Sequence, residues 1–157
     1  MAILKRFEET DTIKLAVLLN EDEALRLDMG FPAGSYITPR DARRKIQKWE
    51  RAERSVCFSI MEGYSFVGLF SLSHVKRKAG TARVGCWIGS SYRNRGICSE
   101  AFGLLLQEAR DRGISRLSAT IRKDNHYLQA IWDGAGGRSE TDSEGRLHYE
   151  LDIPSGS

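Results

Sequence analysis

The chain has 157 residues, which is the length of one compact domain and too short for two. Its 41% hydrophobic and 29% charged residues are typical of a folded globular protein, and a net charge of +3 does not require a nucleic-acid partner. Since no apolar stretch reaches the roughly 18 residues of a membrane-spanning helix, no membrane partner is expected.

The cysteines and the first residues indicate a compartment. Cys57, Cys86 and Cys98 are odd in number and lack the spacing of metal ligands, so they predict reduced thiols and no metal site. The first ten residues turn acidic after a short apolar run, which is unlike a secretion signal. A cytoplasmic protein is therefore expected.

Helical and extended patterns alternate along the first half of the chain. The expected elements are a strand over residues 2–7, a helix over 12–27 with a break near 20–22, a loop over 30–35, and a helix from Thr38 or Pro39 to about residue 54. One face of that last helix is strongly basic. It predicts a solvated surface or, as a weaker alternative, a nucleic-acid contact through Arg40, Arg43, Arg44, Lys45 and Lys48.

The second half reads as strands around one long helix. Its expected elements are strands over residues 55–61, 64–75 and 84–89, a helix over 99–112, a strand over 116–122, a helix from about 125 to 133, a last strand over 147–153 and a flexible tail over 154–157. In the strand over residues 64–75, one face is predicted to carry Phe66, Gly68, Phe70 and Leu72. A strand, helix and strand in succession favour a parallel pair, so the class is α/β with a mixed sheet.

A phosphate cradle is predicted where the strand over residues 84–89 turns into the long helix. The first N–H groups of a helix have no partner within it and lie at its positive end, where they bind phosphate. Gly96 lets a ligand approach the backbone, and Arg93 and Arg95 add positive charge. The alternative is an ordinary helix start with solvated arginines.

The same residues carry a family resemblance. The run from Arg93 to Cys98 resembles the acetyl-CoA pyrophosphate loop of the GNAT superfamily, Q/R-x-x-G-x-G/A, with Cys98 in place of the last Gly or Ala. The surrounding run, which contains Trp87, Tyr92 and Glu100, resembles the corresponding run in the branch of the superfamily that includes the ribosomal-protein N-terminal alanine acetyltransferases. The resemblance implies one domain over residues 1–153, with a sheet of about six to seven strands and about four helices.

The resemblance also implies a set of site residues. Acetyl-CoA would contact Trp87, Ile88, Arg93, Asn94, Arg95, Gly96, Ile97, Cys98, Ser99 and Asn125. Asn125 is equally an ordinary helix cap. Trp132 stands where the family often has a tyrosine, so the nearby Tyr127 is the candidate acid. His74 and Glu62 are candidate bases by residue type. The candidate acceptor contacts are Phe31 and Tyr36. Leu128 and Gly137 also depart from the family pattern.

The implied activity is transfer of an acetyl group from acetyl-CoA to a primary amine by direct attack, without an acyl-enzyme. A backbone N–H near Trp87 or Ile88 would polarise the thioester carbonyl. The acceptor would be a small-molecule amine or a protein N-terminus, and a homodimer is a further expectation. The alternative is a coenzyme-A-binding or sensing module of the same fold with little catalysis.

Overall fold

Seven strands and five α-helices make up the part of the chain that the computed structural model describes, residues 1–52 and 54–154. The strands are β1 (Ala2–Arg6), β2 (Val56–Glu62), β3 (Ser65–Lys76), β4 (Thr81–Ile88), β5 (Arg116–Ile121), β6 (Arg138–Thr141) and β7 (Leu147–Asp152). The helices are α1 (Asp11–Glu21), α2 (Glu23–Asp28), α3 (Pro39–Ala52), α4 (Ile97–Asp111) and α5 (His126–Gly134). The predicted tail lies, from residue 155 on, outside the described residues.

All strands join one mixed sheet in the order β1-β2-β3-β4-β5-β7-β6. Strands β2, β3 and β4 form an antiparallel meander joined by short turns. Strand β1 pairs antiparallel with β2 at its outer edge, although three helices separate the two along the chain. Strand β5 follows helix α4 and runs parallel to β4, whereas β7 returns antiparallel between β5 and β6. The predicted α/β class with a mixed sheet of six to seven strands is confirmed, and the described chain has one helix more than expected.

Strands β4 and β5 pair only near their first residues. Thr81, Ala82 and Arg83 are in register with residues 116–118, but β4 continues to Ile88 without a β5 partner. The two strands therefore diverge and leave a gap within the sheet.

Each face of the sheet buries a separate apolar core. Helices α4 and α5 cover one face, where Phe102, Leu105 and Trp132 pack on β3, β5 and β7. Helices α1 to α3 cover the other face of the meander, where Leu15, Ile46 and Leu69 are buried. On the second face, β5, β6 and β7 have no helical cover from these three helices, and their outward side chains are polar or charged. That half of the sheet is therefore open next to the gap.

Three details differ from the sequence prediction. Ile60 pairs with Gly68 and Met61 with Phe66, so Val67 is an extra residue, a β-bulge that places Phe66 on the opposite face from Phe70. The prediction that these residues share a face was wrong for this reason. Strand β6 was not predicted, since its four residues are exposed and show no alternation. Helix α4 begins at Ile97, two residues earlier than expected.

Within the described ranges, no helix is both long and apolar enough to cross a bilayer.

Candidate functional site

The gap between β4 and β5 is a cleft of about 340 Å³. Its walls come from four elements that are distant in sequence: the end of α2, the unpaired half of β4, the end of β5, and the start of α5. Its lining residues are Leu27, Asp28, Val84, Gly85, Cys86, Trp87, Ala119, Thr120, Ile121, Arg122, Asn125, Tyr127, Leu128 and Trp132. Of the predicted coenzyme contacts, the structure brings Trp87 and Asn125 to this cleft.

A tight loop carries β4 into α4. Asn94 and Gly96 have positive φ angles of 61° and 81°, which turn the chain sharply into the helix. A Cβ added at Gly96 would meet no atom within 4 Å, so the space above this residue is open. Gly96 is the N-cap of α4, and no side chain among the described residues caps it. The N–H groups of the first turn are therefore available to an anion.

Arg93 fixes the relation between this loop and the cleft. Its Nε donates a hydrogen bond to the Ile88 carbonyl oxygen at 3.1 Å, and its guanidinium lies 4.7 Å from the centre of the Tyr127 ring. The Gly89 N–H donates to the Val67 carbonyl at 2.9 Å, so residue 89 points toward β3. Successive residues of a strand point to opposite sides, and the Ile88 N–H and C=O therefore point toward the gap.

Two carboxylates attach helix α2 to the same loop. Asp22 accepts hydrogen bonds from the Ser90 N–H at 2.6 Å and from the Ser90 hydroxyl at 2.8 Å. Burial alone would raise the pKa of Asp22, but these bonds and the Leu25 N–H hold that pKa below its usual value. At the other end of α2, Asp28 lies 3.3 Å from Arg93 and 3.4 Å from Arg122.

Asp28 and Arg122 were not identified from the sequence. Asp28 is 28% exposed and lines the cleft, but it lies about sixty residues before the loop between β4 and α4 and belongs to no motif. Arg122 follows β5 directly, at the end of a predicted strand next to the predicted helix start at Asn125. A charged residue at the carboxyl end of a parallel strand is the one signal that could have suggested it.

Trp87 forms part of an aromatic wall. Its indole stacks on that of Trp49 in α3, with ring centroids 4.4 Å apart and planes 18° from parallel. Gly85 leaves room for this ring, because a Cβ there would lie 2.4 Å from Trp87 Cη2. The wall therefore ties α3 to the cleft through packing of side chains.

Tyr127 and Asn125 lie together at the start of α5. Asn125 Oδ1 accepts from the Leu128 N–H at 3.4 Å, so this residue caps the helix and also lines the cleft. Burial, and to a smaller extent the nearby Cys86, raises the pKa of Tyr127, which keeps its phenol protonated. The Cys86 and Cys98 sulfurs are 3.9 Å apart, and burial followed by the contact with Cys98 raises the pKa of the Cys86 thiol.

The other two candidate catalytic residues lie elsewhere. His74 is exposed at the far end of β3, where Ser73 pairs with Arg83 rather than with the end of β4, and its Nδ1 contacts the Ser73 hydroxyl at 3.0 Å. Glu62 ends β2 and lies 4.0 Å from Arg95. The structure places Glu62 beside the loop between β4 and α4 and does not bring His74 into the cleft.

Phe31 and Tyr36 border a separate shallow groove of about 380 Å³ beside α3. Lys45 Nζ lies 4.7 Å from the centre of the Phe31 ring, and the Tyr36 side chain is exposed. A third groove, of about 540 Å³, runs over the open face of β5, β6 and β7 and includes Ala119 and Thr120. These two residues also line the cleft, so the groove borders the cleft, whereas the Phe31 groove shares no lining residue with the cleft.

In the described part of the chain, no cluster of three His, Cys, Asp or Glu side chains could hold a metal ion.

Known proteins resemble this chain in both sequence and fold. The acetyltransferase Pat of Mycolicibacterium smegmatis is 32% identical over 76 residues, which is 48% of this chain and 23% of the relative, so the match spans less than a quarter of that protein. RimL, a ribosomal L7/L12 α-N-protein acetyltransferase solved with coenzyme A, superposes with a TM-score of 0.78 at 17% identity, covering 99% of this chain and 96% of the other.

A Salmonella typhimurium acetyltransferase that modifies the N-terminal serine of ribosomal protein L7/L12 superposes with a TM-score of 0.78 at 20% identity, covering 98% of this chain and 95% of the other. At identities this low, the superpositions establish that the fold is shared and nothing further. The family evidence comes from the sequence profile of the acetyltransferase (GNAT) domain, which matches residues 2–138. Because this match covers most of the chain, and the divergent strands, uncapped helix and glycine loop lie within it, the chain belongs to the GNAT acetyltransferase family.

Proposed function

We propose that this protein is an acetyl-CoA-dependent N-acetyltransferase that acts on a primary amine. The observation that supports this most directly is the gap between β4 and β5, which opens next to an uncapped helix start. A ligand with a pyrophosphate at one end and an amide-bearing arm at the other fits both features. The solved relative RimL contains coenzyme A.

The open space above Gly96 is where the pyrophosphate would approach the backbone. The first N–H groups of α4, at Ile97, Cys98 and Ser99, would bind it, assisted by the positive end of the helix. Arg95 is exposed beside the same loop and adds positive charge. The unpaired edge of β4 would hydrogen-bond the amide arm as an added strand does.

Bound acetyl-CoA supplies a thioester carbonyl that a neutral amine can attack directly. The Ile88 N–H points toward the gap and would donate a hydrogen bond to the oxygen on which negative charge develops. Tyr127, whose phenol stays protonated, would donate a proton to the departing thiolate. Asp28 lines the cleft and would accept a proton from the attacking amine, directly or through water.

The acceptor would enter along the groove over β5, β6 and β7. This groove shares Ala119 and Thr120 with the cleft, so a bound chain could extend from one into the other. An acceptor site that borders the cleft in this way favours an extended acceptor, such as a peptide N-terminus, over a compact amine. The exposed Leu27 at the cleft mouth offers an apolar contact to the first side chain of such a peptide.

A coenzyme-binding or sensing module is the second candidate function. Its support is Trp132, which stands where the family often has a tyrosine acid, because an indole N–H is not acidic enough to protonate a thiolate. This ring is also 1% exposed and packed between Phe102 and Tyr149. If Tyr127 does not replace that acid, coenzyme binding would persist without efficient transfer.

The deciding experiment measures thiol release from acetyl-CoA with a panel of amines, beside calorimetric titration of acetyl-CoA. The panel contains peptides with free or N-acetylated termini, a polyamine and an aminoglycoside. Release with one amine, no acetylated enzyme in acid-quenched mass spectra, and loss of binding in Gly96→Trp but not in Gly113→Trp would support transfer by direct attack. Binding without release supports the sensing module, and no binding refutes both.

The predicted homodimer and the cytoplasmic location stay predictions. Light scattering across a concentration range would measure the oligomeric state.

A further inference from the structure

Two cysteines lie on either side of the coenzyme loop. Cys86 is half-buried on the unpaired part of β4 and lines the cleft. Cys98 is the second residue of α4 and is 5% exposed. Their sulfurs are 3.9 Å apart, and both side chains pack in the core between the sheet and α4. The segment between them contains the entire loop from Ile88 to Ile97.

We propose that Cys86 and Cys98 form an oxidation site, where a peroxide converts the two thiols into a disulfide that closes the coenzyme cleft. One thiol loses its proton, and the resulting thiolate attacks a peroxide oxygen. The O–O bond breaks and the leaving hydroxide takes up that proton, which gives a sulfenic acid and one water. The second thiol then attacks that sulfur and releases another water. Two thiols and one hydrogen peroxide thus yield one disulfide and two waters.

The present geometry is close to that of the product. A disulfide has an S–S length of about 2.05 Å, so the two sulfurs must approach by about 2 Å. Rotation about the Cα–Cβ bonds can supply this movement. The resulting bond would fix the first turn of α4 to the edge of β4. Both surfaces are those that the coenzyme would contact, since Cys98 carries one of the first helix N–H groups and Cys86 lines the cleft.

Coenzyme binding and disulfide formation should therefore oppose each other. Because such coupling is reciprocal, an occupied cleft protects the thiols and an oxidised pair weakens binding by the same factor. Acetyl-CoA is the suitable probe because its sulfur is acylated and cannot reduce the disulfide. The effect on binding rests on the proposed function, whereas formation of the disulfide does not.

Cys57 provides an internal control. It is buried in the core on the other face of the sheet, between the meander and helices α1 to α3. The sheet therefore separates its sulfur from Cys86 and Cys98, and peroxide should leave it a thiol under the same mild treatment.

The experiment treats the protein with hydrogen peroxide, alkylates the remaining thiols under denaturing conditions, and maps the peptides by mass spectrometry before and after reduction. We expect a Cys86–Cys98 linkage, an alkylated Cys57, and acetyl-CoA binding at least tenfold weaker than in the reduced protein. Dithiothreitol should restore the affinity, and saturating acetyl-CoA should slow the linkage.

Each variant is compared with itself before and after peroxide, so any effect of the substitution on basal affinity cancels. Cys98→Ala should lose the response and Cys57→Ala should keep it. Linkage to Cys57, oxidation to sulfinic acid without linkage, or a linkage that leaves the affinity unchanged would each overturn the proposal. If the reduced protein fails to bind acetyl-CoA, the proposed function and the closure fail together, while the peptide map still decides whether the disulfide forms.

Discussion

The replacement of Gly96 by alanine separates the role of this residue in folding from its role in binding. Gly96 has a φ angle of +81°, and an added Cβ would meet no atom within 4 Å. The substitution therefore costs only the strain of a left-handed backbone, about 1–2 kcal/mol. For a chain of this length that corresponds to a decrease in Tm of about 2–8 °C. The fold should survive.

Gly113 is a matched control at the other end of the same helix. Its φ angle is +80°, and a Cβ added there also meets nothing within 4 Å. Gly113→Ala should therefore lower Tm by the same amount as Gly96→Ala. The two variants differ only in the position of the added methyl group. In Gly96→Ala it faces the proposed pyrophosphate position, and in Gly113→Ala it lies at the opposite end of the sheet.

The assay is calorimetric titration of acetyl-CoA into both variants and the native chain, with Tm measured on the same samples. We expect affinity to fall at least tenfold in Gly96→Ala, equivalent to about 1.4 kcal/mol, and to change by less than about threefold in Gly113→Ala. Equal affinities in the two variants would refute the argument that the open space above Gly96 is the site of close approach.

Three further predictions concern the cleft and the core. Gly85→Ala should lower the free energy of unfolding in urea by about 1–3 kcal/mol and change the tryptophan fluorescence, because the added Cβ would lie 2.4 Å from the Trp87 ring. Gly103→Ala is the control: it lies in a helix interior with nothing within 4 Å of an added Cβ, so it should raise the free energy of unfolding by up to about 1 kcal/mol. Asp11→Asn should lower the free energy of unfolding by about 2 kcal/mol at neutral pH. The reason is that the Asp11 carboxylate is buried and accepts hydrogen bonds from the Lys5 ammonium, the Glu8 N–H and the Ser59 hydroxyl. Burial would raise the pKa of Asp11, but those hydrogen bonds hold this pKa below its usual value. The stabilisation by Asp11 is therefore present above about pH 4 and is lost as the pH falls through the lowered pKa. If the native chain and the variant still differed in free energy of unfolding by the full amount at about pH 2, this reasoning would be contradicted. Tyr127→Phe should lower kcat roughly 100-fold with little change in acetyl-CoA affinity. Because the pKa of Tyr127 is raised, deprotonation of this residue should not lower the rate of the native enzyme up to about pH 10. An unchanged kcat in the variant would exclude Tyr127 as the acid.

The position of the loop between β4 and α4 could be predicted from the sequence because its signal is local. The strand, the loop and the helix start are contiguous, so Arg93 and Gly96 stand in recognisable order and the structure places the loop beside the cleft. Helix and strand types followed from apolar periodicity for the same reason. Strand β6 carried no such signal, because an exposed four-residue edge strand needs neither alternation nor apolar residues.

The rest of the site depends on tertiary contacts that no single segment encodes. Asp28 reaches the cleft because α2 is attached to the loop after β4 through Asp22 and Ser90, a contact between residues sixty-eight positions apart. His74 was chosen for its residue type, but strand register places it at the far end of β3. The bulge at Val67 reverses the side of Phe66, and nothing in the apolar pattern indicates an extra residue there.

The short pairing between β4 and β5 has a consequence for how the molecule opens. In the described chain three residues of β4 are in register with β5, so the sheet hydrogen bonds between the meander and the β5-β7-β6 half are concentrated at one end of the seam. Amide exchange along the seam should therefore reflect partial opening well below the cost of global unfolding. A ligand that pairs with the free edge of β4 would bridge the seam, so that the two halves exchange and unfold as a single cooperative unit.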